Sequence, residues 1–332
     1  MSAQVPAAIV PPLAPSFGLM LAALLLLAVF ALSMPDEFLW QRVIEDAGHG
    51  PVFAGFAIVL LWLQRPRATS RIRDLGQFRQ VFLFAVGAGI TTELLQWFLP
   101  ARNVSVRDVL HDAAGAALGL ALFWLLERWL ARREGEPDVA MHGAVVAAIA
   151  LGSLLVLAWQ PLQCARAYVE RARAWPTLLP LRDPADTAFS AVKSASLSYR
   201  PLPARYQRQG DGVSMRLEFE AGARPGLQLF EPAPDWSDKD SLVIDVTNPS
   251  PRPLPLVLRV LDRTHDWSNG DRFNRRVVVP ATTRTTVRIP LEAVAAAPRK
   301  RRMDMTAIAD VMLFARRPLD AGDFYVTRVW LE

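Results

Sequence analysis

Between Gly87 and Gly119, the run GAGITTELLQWFLPARNVSVRDVLHDAAGAALG sets Glu93, Gln96, Arg102, Ser105, Asp108, His111 and Asp112 inside or beside apolar segments. Ionisable side chains are costly at membrane depth, so they are expected to face a bundle interior or a water-filled cavity and to serve a function. On a helix, Gly89, Glu93 and Gln96 fall at i, i+4 and i+7, and Asp108, Asp112, Gly115 and Gly119 follow at spacings of four, three and four. Each set therefore forms one stripe. Stripes on adjacent antiparallel helices can meet, giving a polar pocket that Arg102 neutralises from the connecting loop and His49 joins as a third partner. Gly115 and Gly119 make a small-xxx-small packing face. Such a pocket suits a polar head group. With Glu93 or Asp108 as general base and His49 as proton partner, it equally suits acid–base chemistry. Two plainer roles use the same residues: Ser105 and Asp108 fit an S-x-x-D helix cap, and Glu93 with Gln96 fit interhelical hydrogen bonding.

A second set lies far along the chain, in DRTHDWSNGDRFN from Asp262 to Asn274. Asp262, His265, Asn269, Asp271 and Arg272 offer hydroxyl partners and Trp267 an apolar platform, which is what a sugar needs. The plainer role is that Asp271, Arg272 and Asn274 order a long loop while Trp236 and Trp330 are core. Neither set is accompanied by a nucleophile elbow, an H-E-x-x-H, a P-loop or a cysteine-pair metal motif. No cofactor is expected, and Cys164, the single cysteine, excludes an intramolecular disulfide and is read as a structural residue at a helix end.

The elements that position these residues differ between the two halves. The 332 residues are 52% hydrophobic with a mean hydropathy of +0.19, too apolar for an ordinary soluble enzyme and long enough for two domains. Phe17–Met34, Ala47–Leu63, Val81–Leu99, Asp108–Leu130 and His142–Leu162 read as five membrane helices. Trp40, Trp62, Trp97, Trp129 and Trp159 lie near their ends, as an aromatic belt would. The loop Gln64–Gln80 carries Arg65, Arg67, Arg71, Arg73 and Arg79 against Asp74, which places it in the cytoplasm; the net charge of +5 is thus topological and not a sign of nucleic-acid binding. This puts the N-terminus in the cytoplasm and the C-terminal half outside, although Arg166, Arg171, Arg173 and Arg182 then fall on the outer side.

From Gly212 the period changes to two. Val213–Phe219, Leu227–Phe230, Ser241–Val246, Leu254–Leu261, Arg275–Val279, Thr285–Ile289, Ile308–Phe314 and Phe324–Leu331 read as short strands separated by turn residues, which predicts an antiparallel jelly-roll sandwich. In Ser241–Val246, Leu242, Ile244 and Val246 are expected to face the core, with Val243 and Asp245 outward unless both faces are covered. The expected organisation is a disordered lead at 1–16, a helical membrane bundle at 17–162, a juxtamembrane amphipathic helix and Pro-containing linker at 163–211, and an all-β sandwich at 212–332.

A Gly followed by Glu93 and Gln96, then Arg102, Ser105, Asp108, Gly115 and Gly119, with Gly48–His49 opening the second span, resembles the VanZ-like family of bacterial membrane proteins over roughly the first half of the chain. The sequence departs from that pattern at Asp112, where the family usually has Asn, and at Asp46–Ala47, where it often has Asp-Lys. An acid in place of an amide implies a protonated Asp112 or a partner in Arg102 or His111. The resemblance implies a cell-envelope role, the family's namesake being associated with resistance to the glycopeptide teicoplanin, without supplying a reaction. The stretches DWSDKDSLVIDVTNP, DRTHDWSNGDRFN and FYVTRVWLE resemble galactose-binding-like carbohydrate-binding modules over about Gly212–Glu332; in those modules Asp and Asn also hold a structural calcium, which is not assigned here.

The leading expectation is a bacterial inner-membrane protein, set among membrane lipid, whose extracytoplasmic sandwich recognises an envelope polysaccharide or glycolipid without catalysis. The alternatives are a membrane-embedded hydrolase or transferase acting on a lipid-linked sugar, and a structural or sensor protein whose sandwich binds a protein partner.

Overall fold

The computed structural model describes residues 9–31, 38–65, 72–98, 105–134, 140–182 and 184–332. It divides into two units, Met1–Gln163 and Cys164–Glu332.

The first unit is helical: α1 (Pro15–Ala31), α2 (Leu39–Leu63), α3 (Leu75–Gln96), α4 (Val106–Arg133) and the greater part of α5 (Ala140–Ala174). Four of these, α2 to α5, are long and apolar enough to cross a membrane, and α1 is a shorter apolar helix. At 1.5 Å per residue the 22 residues of α3 reach about 33 Å, enough for a hydrocarbon core of about 30 Å. Leu151, Leu155 and Leu162 of α5 turn outward and are 60 to 62% exposed, an arrangement that suits lipid and not water.

Local chemistry explains where these helices start. Asp74 accepts the Gln77 N–H while Gln77 reaches back to the Asp74 N–H, a capping box that starts α3 six residues before the expected Val81. Helix α2 begins at Leu39, eight residues before the expected Ala47, and Pro51 sits inside the helix. Helix α5 likewise runs on past Leu162 to Ala174. The basic amphipathic piece continues it, which puts Cys164 and Trp159 within a helix and not at an end.

Glycines set the helix packing. Gly115 of α4 abuts the Gly50 carbonyl of α2, and Gly119 abuts that of Ala54, so α2 and α4 run parallel in close contact. Gly89 of α3 faces Asp112 of α4, and Phe78 meets Phe123, so α3 is antiparallel to both.

The second unit is a sandwich of two antiparallel sheets. Its strands are β1 (Thr177–Leu179), β2 (Ser190–Lys193), β3 (Ser196–Pro201), β4 (Val213–Phe219), β5 (Gly226–Phe230), β6 (Ser241–Asn248), β7 (Leu254–Asp262), β8 (Phe273–Val279), β9 (Thr283–Pro290), β10 (Ile308–Phe314) and β11 (Gly322–Leu331), with a short α6 (Leu291–Ala295). One sheet has the order β3-β4-β11-β6-β9, with β1 also paired to β11; the other is β2-β5-β10-β7-β8. All eight expected strands are present. The stretch expected to be a linker also holds β1, β2 and β3, which pair with β11, β5 and β4.

The core between the sheets includes Met215, Leu217, Trp236, Leu242, Leu256 and Phe324, all fully buried. On β6 every residue is buried, so Val243 and Asp245 do not face solvent. The segment around Tyr206 covers that face: Arg284 binds Asp245, the carboxylate of Asp211 and the Tyr206 carbonyl together. Arg284 holds the Asp211 carboxyl below the usual carboxylate range.

Candidate functional site

In the helical unit, the antiparallel α3–α4 pair brings the end of α3 to the start of α4. There Glu93 Oε2 accepts the Ser105 N–H at 2.9 Å. Ser105 caps α4 by accepting the Arg107 N–H at 3.2 Å. Asp112 is fully buried, and its Oδ1 accepts from His49 Nδ1 of α2 at 3.0 Å. Gly89 makes room for it, since a Cβ there would lie 2.6 Å from Asp112 Oδ2. The partner of Asp112 is thus His49 and not His111. Neighbouring helix positions are about 100° apart, and His111 points to an earlier turn of α2, donating from Nδ1 to the Asp46 carbonyl at 3.1 Å. The Asp46 carboxylate accepts from Gln160 of α5 at 2.9 Å. Asp108 is half-buried and within electrostatic reach of His49, Glu93 and Asp112. The structure therefore gathers His49, Glu93, Gln96, Ser105, Asp108 and Asp112 at one end of the bundle; Arg102 lies outside the described residues.

This end is rich in acceptors. Glu93, Gln96 and Asp112 are at most 2% exposed. Among the described residues Glu93 Oε1, Asp112 Oδ2 and Gln96 Nε2 have no hydrogen-bond partner.

The opposite end holds an ion pair that reading the sequence missed. Arg73, counted there among the topological loop arginines, is 1% exposed and donates from Nη1 to Glu127 Oε1 at 2.7 Å. Its Nε and Nη2 reach the carbonyls of Leu61 and Gln64 at 2.9 and 2.7 Å, satisfying acceptors at the end of α2, and its guanidinium lies 5.0 Å from the Phe123 ring. The available signal was Glu127 itself, a carboxylate within an apolar helix.

In the sandwich, the loop joining β7 to β8 carries the second candidate set, and the structure divides it. Asp262 is fully buried; Arg301 forks onto its two oxygens, while the Asp304 N–H and Thr264 hydroxyl bond it at 2.8 and 3.2 Å. Burial pushes the Asp262 carboxyl up, but those donors outweigh it and hold it below the usual carboxylate range. Arg301 also binds Asp271 at 2.7 and 2.9 Å and lowers its carboxyl too. Asp262 and Asp271 are thus struts of the loop, fixed by an arginine 39 and 30 residues away. Both carboxylates are committed to Arg301. Among the described residues no three His, Cys, Asp or Glu side chains are placed to hold a metal.

Of the remaining members Trp267 and Asn269 are exposed, and His265 and Arg272 are half-buried. Trp267 is 74% exposed and occupies left-handed backbone at φ 62°, uncommon for a bulky residue. The His265 ring lies 4.3 Å from it. His265 Nδ1 donates to the Asp262 carbonyl at 2.9 Å, so in the neutral ring Nε2 is an acceptor. Among the described residues, that Nε2 and the Arg272 Nε are buried without partners, and Arg272 also contacts Asn269.

The model of the VanZ/LLP1 family matches residues 19–127. Those residues form a VanZ-like domain. The His49–Asp112 bond and the Arg73–Glu127 pair both lie inside the VanZ-like domain, whereas α5 and the sandwich lie beyond the matched segment. No curated protein matches the chain in sequence. Among solved structures, the family 11 carbohydrate-binding module from Clostridium thermocellum, in complex with a beta-1,3-1,4-mixed-linked tetrasaccharide, shares 14% identity over 43% of this chain and 86% of that one, with a TM-score of 0.33. A family 30 module of a cellulosomal cellulase from the same organism shares 14% over 43% and 90%, with a TM-score of 0.33. An exo-beta-agarase shares 15% over 47% of this chain and 24% of its own length, with a TM-score of 0.37.

Proposed function

We propose that this is a membrane protein of the bacterial cell envelope whose β-sandwich recognises a glycan or glycolipid through the loop after β7, without catalysis. The observation that carries the reading is Trp267: its indole is presented to solvent on a loop that Arg301 braces at Asp262 and Asp271. An exposed ring on a fixed loop stacks a sugar face at little entropic cost. On the same loop Asn269 is exposed, and its amide can both donate to and accept from a hydroxyl group. Full-length protein in nanodiscs should bind an envelope polysaccharide on a glycan array, and Trp267→Ala should weaken that binding about tenfold or more. If wild type and variant alike bind no envelope polysaccharide, the glycan reading fails and a protein partner takes its place.

The proposed orientation has the N-terminus in the cytoplasm and the sandwich outside. The arginines after Leu162 weigh less against it than their number suggests: Arg171 lies over the rings of Tyr168 and Phe189 and donates to the Glu231 carbonyl, and Arg182 sits beside Asp186. Their positions answer to the fold of the second unit. A reporter fused after Glu332 is expected to be active only when it requires export, and a cytoplasmic signal there would overturn the orientation.

The His49–Asp112 hydrogen bond favours a second reading, a membrane-embedded hydrolase or transferase on a lipid-linked sugar, because a carboxylate on Nδ1 orients an imidazole for proton transfer. Turnover of such a lipid by wild type, abolished in His49→Ala, is the result that reading requires.

A further inference from the structure

We propose that the polar end of the VanZ-like domain is a binding site for a protonated primary amine, independent of the sandwich loop. Four carboxylates, Asp46, Glu93, Asp108 and Asp112, gather there with two imidazoles, His49 and His111. Hydrogen bonding inside the cluster leaves a definite remainder. His49 satisfies one oxygen of Asp112, and the Ser105 N–H satisfies one oxygen of Glu93. The second oxygen of each carboxylate is buried with no partner among the described residues.

Those two oxygens share the α3–α4 seam. Asp112 Oδ2 lies against Gly89, and Glu93 stands four residues further along the same face of α3, about one helical turn away. Gln96 follows on that stripe with an unpaired Nε2, also buried. Two unpaired carboxyl oxygens and one amide donor call for a cationic group bearing several N–H bonds, with an oxygen close by. An amino alcohol, or its phosphate ester in a lipid head group, has this arrangement. The 28 residues of α4 span about 42 Å, matching a bilayer with its head-group regions, so the first turns of α4 stand at head-group level.

The test separates N–H donation from charge. Full-length protein is placed in nanodiscs containing phosphatidylethanolamine, its mono- and dimethylated forms, or phosphatidylcholine, all with the same acyl chains, and retained lipid is measured by native mass spectrometry. Retention is expected to fall with each N–H removed, by about tenfold from the ethanolamine to the choline lipid. Glu93→Gln and Asp112→Asn are each expected to abolish the difference; wild type alone suffices should either variant fail to fold. Free ethanolamine that protects the protein against heat in choline-lipid nanodiscs, where lipid shows no preference, identifies a soluble amine as the source and supports the site. Equal retention across the series, with no effect of free ethanolamine, overturns the proposal. So does a preference that emerges only in Arg102→Ala, which would mean that the chain's own guanidinium fills the site.

Discussion

Glu127→Ala is expected to lower the stability of the helical unit by about 3 to 5 kcal/mol, and Arg73→Ala by more. Both side chains of the pair are almost fully buried, so removing either leaves a charge with neither water nor a counterion. The two losses are not equal. Among the described residues Glu127 binds Arg73, through its guanidinium and its backbone N–H at 2.7 and 3.1 Å. Arg73 also donates to the carbonyls of Leu61 and Gln64 at the end of α2. Thermal unfolding in detergent of the two single variants and of Arg73→Met/Glu127→Leu gives the comparison. The double variant should be more stable than the sum of the singles implies, because no buried charge remains unpaired. Strict additivity would show that the pair is not coupled in the folded protein.

The second large effect is steric. At Gly115 a Cβ would fall 2.1 Å from the Gly50 carbonyl oxygen and 2.8 Å from the Gly50 Cα, all backbone, where ordinary contact needs about 3.5 Å. Gly115→Val therefore forces α2 and α4 apart by more than about 1 Å, at a cost of at least about 3 kcal/mol. His49 stands one residue before Gly50 and Asp112 three before Gly115, so their 3.0 Å bond sits beside the displaced contact and should break. Gly87 of α3 provides the opposite case. A Cβ there meets nothing within 4 Å, so Gly87→Ala should be neutral or stabilising by up to about 1 kcal/mol. Circular-dichroism melts of the two variants decide the matter; equal losses would show that glycine content, and not close approach, governs this bundle.

The fold was readable where a period repeats. Alternating apolar residues between turn residues marked eight strands, and long apolar runs marked the helices of the first unit. Two of the strands that escaped notice gave a weak signal: β1 has only three residues, and β3, SLSYRP, alternates but is short and almost wholly exposed. Helix starts were misplaced where side-chain capping, as at Asp74 and Gln77, extended a helix into a polar stretch.

The candidate residues were readable as types, not as partners. In the Arg-rich loop five arginines look alike in sequence; among the described ones, Arg65, Arg73 and Arg79, packing selects Arg73 for burial. In the β7–β8 loop, Asp262 and Trp267 look equally suited to a sugar, yet Arg301 claims the acid and leaves the indole free. The stripe Gly89, Glu93, Gln96 and the stripe Asp108, Asp112, Gly115, Gly119 follow from helical geometry alone, so the sequence determined that a polar seam would exist between α3 and α4. That His49 would complete it, 63 residues from Asp112 in the chain, was decided by the contact of Gly115 with Gly50, because hydrogen bonds form between atoms that packing brings within about 3 Å, whatever their separation in sequence.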